Sequence, residues 1–281
     1  MPEIIKHTAR RAEATLIIAA QKFLHIDGDQ RAAAFAYSAF FALFPLMVLF
    51  VTAASFFADR GEAAGVVISY VEKFVPLNGE MQHYVFDTLS KVINARGRAS
   101  AVAMLMLVWV AIQFFNTLIQ AANRAWGTTG SHWWKLPLKS LALLMILIIA
   151  VLVGIGTPLM GKMAGGLLTT GVFLPRAYKL WLFVVPWLLV FFSLTIFYKV
   201  APHRRTKYSE VWFSALCASM LLQAAQSLFL LYLRHFASFN AVYGAFGGVM
   251  ALLLWIYISG VIFIFCACLS AAQAATRGNI Q

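Results

Sequence analysis

The chain alternates long apolar stretches with short polar ones that are mostly basic. Six runs carry no charged side chain: Ala32 to Ala58, Ala99 to Asn123, Ser140 to Gly161, Leu180 to Tyr198, Val211 to Leu233 and Gly244 to Ser270. At a rise of about 1.5 Å per residue, each run can cross a hydrocarbon layer of roughly 30 Å as a helix. The runs are apolar all round, whereas helices of a soluble bundle carry a charged outer face. Hydrocarbon cannot satisfy open backbone groups, so such runs must be helical. The pattern predicts an all-α fold: a polytopic membrane helical bundle with six transmembrane helices at about 34–57, 99–122, 140–161, 180–198, 211–233 and 244–270.

Shorter periodicities predict two further elements. Ile5, Thr8, Ala12, Thr15, Ala19, Phe23 and Ile26 recur at helical spacing, with Arg10, Arg11 and Lys22 among the other positions. Residues 1–30 therefore read as an amphipathic helix on the membrane surface, not as a secretory signal. In the longest loop, Met81, Val85, Leu89 and Val92 share one face, Asn78 is a cap and Pro76 marks a break after a preceding helical segment. Residues about 59–98 are thus expected to form an external helical hairpin, either a lid or a packing element. The six-span domain covers 31–275, and 276–281 form a tail.

Composition and charge sharpen this. The 281 residues are 62% hydrophobic and 11% charged, against about 25% charged in an ordinary soluble domain. The net charge of +12 suits anionic lipid headgroups, which attract Lys and Arg near a membrane, so no nucleic-acid partner is expected. With the N-terminus inside, more than half of the 22 Lys and Arg residues fall in inside segments, so both termini are expected in the cytoplasm. Cys217, Cys266 and Cys268 all lie within spans and imply neither a disulfide framework nor a metal site.

Polar side chains inside the spans are the candidate chemistry. Gln113, Asn116, Gln120 and Asn123 align amides along one face of the second span, and Ser219, Gln223 and Gln226 do so in the fifth. Tyr37 and Ser38 accompany Pro45 in the first span. An amide in hydrocarbon needs a partner, so these stripes either join helices or line a polar groove between spans two and five. Pro45 and Pro186 fall mid-span, each releasing a carbonyl. Spans one and four would correspond if the chain were two inverted three-helix halves, a plan that surrounds midplane substrate sites in transporters.

Several activities are disfavoured. No Asp, Glu, Lys or Arg lies near the centre of a span, which argues against a proton relay or voltage sensor. There is no Walker loop, no HExxH among the six scattered histidines and no GxSxG elbow, so no cofactor, metal or catalytic residue is expected. Pro202-His203-Arg204-Arg205 with Lys207 is either a headgroup-binding cluster or a basic inside loop.

At this point the residues carry a family resemblance. Arg31 to Phe50, RAAAFAYSAFFALFPLMVLF, resembles the opening motif of the YihY/BrkB family of bacterial inner-membrane proteins, long labelled ribonuclease BN. The likeness continues through Asn123-Arg124-Ala125-Trp126, Val200 to Arg205, Tyr243-Gly244-Ala245-Phe246-Gly247 and Trp255-Ile256-Tyr257, and extends from Arg31 to Ala275. It implies six membrane helices and a multi-pass protein of the bacterial inner membrane. Family members typically end the sixth helix with Gly-Ala-Glu-Leu-Asn. Here the matching positions read Cys266-Ala267-Cys268-Leu269-Ser270, so coupling through that carboxylate is not expected. The nuclease label would require an HxHxDH cluster to hold a zinc that activates water; the chain has none, and no enzyme activity is expected.

Two functions are therefore expected as alternatives. One is a transporter, exporter or lipid translocator for an uncharged, zwitterionic or amphiphilic substrate, with membrane lipids as partners. Its path candidates are Tyr37, Ser38, Pro45, Gln113, Asn116, Gln120, Asn123, Gln223, Gln226 and Tyr243, and its headgroup candidates Arg204, Arg205 and Lys207. The other is a non-transporting scaffold or assembly factor in envelope maintenance. Gly244, Gly247, Gly248 and Gly260 would allow close helix approach, including in a homo-oligomer.

Overall fold

The charge-free runs become helices that overshoot them at most ends. In a computed structural model, residues 2–54, 99–128, 135–167, 174–204, 206–236 and 245–278 are described. They form α1 (Pro2–His25), α2 (Gly28–Ala54), α3 (Ala99–Ala125), α4 (Lys135–Leu167), α5 (Leu174–Val200), α6 (Tyr208–Phe236) and α7 (Ala245–Gly278), with no strand among the described residues. The expected hairpin at 59–98 lies outside them. The overshoot has a simple cause: charge marks where hydrocarbon ends, while helical hydrogen bonding continues into the headgroup zone. Thus α7 runs through the expected tail to Gly278.

Among the described residues, three helices are long and apolar enough to cross a membrane, over Leu136–Val153, Tyr208–Leu233 and Gly248–Thr276; Val184–Val200 is a shorter apolar helix. Successive helices from α2 to α7 pack on one another in chain order, and α7 closes back on α2. Contacts near matching ends show that neighbours alternate in direction. Ser140, in the second turn of α4, bonds Asn116 in the later half of α3, and the Phe229 ring, late in α6, lies tilted 5.3 Å from that of Trp255, early in α7.

The centre is α7, which packs against α1, α2, α3 and α6. Its small buried residues Cys266, Ala267 and Cys268 let neighbours approach closely. The Tyr198 hydroxyl of α5 donates to the Phe263 carbonyl at 3.0 Å, and the Phe197 ring meets Phe263 at 4.7 Å. The face predicted for α1 is the one buried at Thr15, Ala19 and Ile26, but its cover is α7 instead of lipid: Ala19 clusters with Leu269 and Ala272, and Phe23 meets Phe265 edge-on. The other side of α1 is apolar too, with Leu16, Ile17 and Leu24 exposed.

At Gly260, α7 packs closely against α2. A Cβ there would lie 2.5 Å from the Phe35 ring and 3.4 Å from the Ala32 carbonyl. Gly260→Val is therefore expected to cost about 1–3 kcal/mol by overpacking. Thermal unfolding of the detergent-purified protein checks this, and an unchanged melting temperature would mean that Phe35 swings aside freely.

Candidate functional site

The second-span amides divide between two tasks. On α3, Ala111, Phe115, Leu118 and Ala122 face the core shared with α7. Met106, Trp109, Gln113, Gln120 and Arg124 form the opposite, exposed arc. Gln113 lies roughly 18 Å from the Ala125 end of the helix. Asn116 sits on the edge of the arc towards α4: its Nδ2 donates to Gln113 Oε1 at 2.9 Å, and its Oδ1 accepts from Ser140 Oγ at 2.5 Å. On the other edge, Thr117 Oγ1 lies 3.4 Å from Ser38 Oγ and donates to the Gln113 carbonyl. The seam between α2 and α3 is thus polar at Ser38 and Thr117. Beside it stands Tyr37, 66% exposed, with its ring 4.8 Å from Phe41.

Asn123 is buried and serves as a joint. Its Oδ1 accepts from the His203 backbone N–H at 2.8 Å and from Thr128 Oγ1 at 3.2 Å, tying the end of α3 to the α5–α6 loop. That loop is bound in place elsewhere as well. Lys139 Nζ donates to the Pro202 carbonyl at 3.0 Å, Lys199 Nζ sits 3.2 Å over the Tyr208 ring, and Thr206 Oγ1 donates to the Lys199 carbonyl. Arg204 lies over the Trp126 ring and 3.8 Å from Glu210. Glu210 also accepts from the Lys207 backbone N–H at 2.9 Å. Of the headgroup candidates, Arg204 is engaged within the protein, Lys207 is exposed, and Arg205 lies outside the described residues.

Spans two and five do not share an extended interface. α3 packs on α2, α4 and α7, whereas α6 packs on α5 and α7. Gln223 is exposed on α6, its carbonyl accepting from Ser227 Oγ; Gln226 is half-buried; Ser219 is buried and donates to the Leu216 carbonyl. The expected groove between the two amide stripes is therefore not formed among the described residues. Pro45 is buried within α2, and Tyr243 lies outside the described residues.

The sequence reading missed the foot of the α3 arc. Arg31, at the start of α2, donates from Nε to the Ile26 carbonyl at 2.6 Å. Burial, and then the like charge of Arg124, lower its pKa from the usual guanidinium value, while Asp27 acts in the opposite direction. Two arginines far apart in sequence thus come near enough at the foot of the arc for their charges to interact. Among the described residues, no His, Cys, Asp and Glu side chains gather as a metal-holding group.

Comparison with known proteins fits this architecture. The family described as Virulence factor BrkB matches residues 19–279. The chain is 28% identical over 264 residues to a UPF0761 membrane protein of Alcanivorax borkumensis, an overlap covering 90% of this chain but only 58% of that protein. It is 28% identical over 265 residues to a UPF0761 membrane protein of Coxiella burnetii, covering 93% of each. A UPF0761 membrane protein of Histophilus somni is 27% identical over 267 residues, covering 90% of this chain and 89% of that one. No solved structure matches. A likeness that runs through α2 to α7 in order, three of them long and apolar enough to span a bilayer, makes this chain a member of the BrkB family and an integral membrane protein.

Proposed function

We propose that the protein moves an amphiphile with a phosphate-bearing headgroup between leaflets of the bacterial inner membrane. One observation carries this reading: the α3 arc opposite the core places Gln113 and Gln120 on the exterior of a membrane helix. An amide facing hydrocarbon costs free energy unless it is hydrogen-bonded, so such an arc suits a surface along which a polar headgroup travels while its chains stay in lipid. Arg31 and Arg124 give the arc a cationic foot that attracts phosphate. Tyr37, Ser38 and Thr117 add hydroxyls along the α2–α3 seam. No catalysis is assigned to the chain.

In this reading α2, α3 and α5 are spans as well, since 27 residues each measure roughly 40 Å. Lys22, Arg31, Arg124, Lys139, Lys199, Arg204 and Lys207 share the end where α2 begins, which we take as cytoplasmic. The exposed side of α1, Leu16, Ile17 and Leu24, then lies at the membrane surface.

Proteoliposomes containing a phospholipid with a fluorescent headgroup test the proposal. Membrane-impermeant reductant is expected to bleach both leaflets in vesicles that hold the protein, and only the outer leaflet in empty vesicles. Equal bleaching in the two would sink translocation. The scaffold reading would then take its place, favoured by Asn116 and Asn123, whose amides join helices and loop.

A further inference from the structure

Behind the α2–α3 seam, on the core side of α2, a cavity of about 240 Å³ opens between α2, α3 and α7. Its α2 wall runs from Phe35 through Ala39 to Phe50, and Phe114 and Trp255 close it from α3 and α7. We propose that this cavity is a binding site for one hydrocarbon chain of a membrane lipid. The inference goes beyond leaflet exchange, because it requires only that a chain resides there.

Three properties select that occupant. The lining is apolar except for Ser259, whose hydroxyl donates to the Trp255 carbonyl at 2.9 Å. A buried water needs about 2–4 polar partners, and this lining does not supply them. The shape is elongated: Phe35 and Phe50 are fifteen positions apart on one helix, roughly 22 Å at the helical rise. That is most of the depth of a hydrocarbon layer of about 30 Å, and it fits an extended chain better than a compact solute. An apolar cavity of about 150 Å³ already binds benzene, and an unfilled one leaves its walls without dispersion contacts. The surrounding bilayer offers hydrocarbon at the highest concentration of any candidate.

Trp255 is a built-in reporter, being only 6% exposed, whereas Trp109 on the outward arc of α3 is 65% exposed. The test uses two full-length proteins, one retaining Trp255 and the other Trp109, with the remaining tryptophans changed to Phe. Both are reconstituted in phosphatidylcholine vesicles whose acyl chains carry bromine, a contact quencher. Quenching of Trp255 is expected to match that of Trp109. Ala39→Phe, which fills the middle of the cavity, is expected to abolish quenching at Trp255 and leave Trp109 unchanged. Ser259→Leu, filling it from α7, serves the same purpose should Ala39→Phe fail to fold. Unquenched Trp255 beside quenched Trp109 would overturn the proposal, as would quenching that survives a filled cavity. Neither result bears on the bleaching assay, which reads headgroups crossing the bilayer, so the two proposals fail separately.

Discussion

Changing Gln113 and Gln120 together to leucine is expected to slow leaflet exchange in proteoliposomes by about tenfold or more, with no loss of folded protein. Both side chains are exposed on the outward arc of α3, so the substitution opens no core cavity and adds apolar surface where lipid is the neighbour. Its cost falls on the travelling headgroup, which loses hydrogen-bonding partners halfway across. An unpartnered polar group in an apolar setting costs roughly 2–7 kcal/mol, and each 1.36 kcal/mol added to a barrier is about tenfold in rate. The Asn116 amide loses its bond to Gln113 but keeps the one from Ser140. Unchanged exchange in the double variant, at equal protein per vesicle, would remove the arc from the path. Loss of exchange together with loss of folded protein would instead make the arc a packing surface.

The opposite outcome is expected at Asn123. Asn123→Leu removes the acceptor of the partly buried His203 N–H, whereas the Thr128 hydroxyl keeps its bond to the Asn123 carbonyl at 3.0 Å. Leaving that donor unsatisfied costs about 1–3 kcal/mol, a sizeable share of a typical stability of roughly 5–15 kcal/mol. The expected result is a marked fall in melting temperature and in the yield of monodisperse protein. Asn123→Asp keeps an oxygen at the same place and is expected to recover most of the loss. If Asn123→Leu melts like the parent protein, the joint between α3 and the α5–α6 loop carries little of the fold. The two experiments separate the exposed amides Gln113 and Gln120 from the buried amide of Asn123 on the same helix.

Much of the helical layout was legible in the sequence, because charge and hydropathy are local properties. The apolar runs locate α2 to α7, and the 3.6-residue period finds the face of α1 that Thr15, Ala19 and Ile26 bury. What covers that face was not legible, since a stripe of apolar residues fits lipid and a neighbouring helix equally well. The same limit explains the amides. Spacing aligned Gln113 with Asn116 and Gln120, and Gln223 with Gln226, but spacing on one helix carries no information about which helix lies opposite. Helix α3 met α2 and α4, α6 met α5 and α7, and the two stripes do not share an extended interface. Arg31 and Arg124 are distant in the chain, so only the packing of α2 beside α3 brings their charges together. The cavity was hidden for a related reason: Phe35, Ala39 and Phe50 read as an ordinary core stripe until the space left beside Phe114 and Trp255 is known.

The place of α7 has a consequence for how a ribosome makes this molecule. Helix α1 rests on α7, through Phe23 on Phe265 and Ala19 beside Leu269 and Ala272, and α2 and α6 also wait for the same partner. Until α7 has been synthesised and inserted, the earlier helices stand with their inner surfaces unmatched. Assembly intermediates of that kind are open to mispairing and proteolysis. A chain cut short before α7 thus forfeits the keystone of the bundle, and synthesis of that helix becomes the checkpoint through which every intact copy must pass.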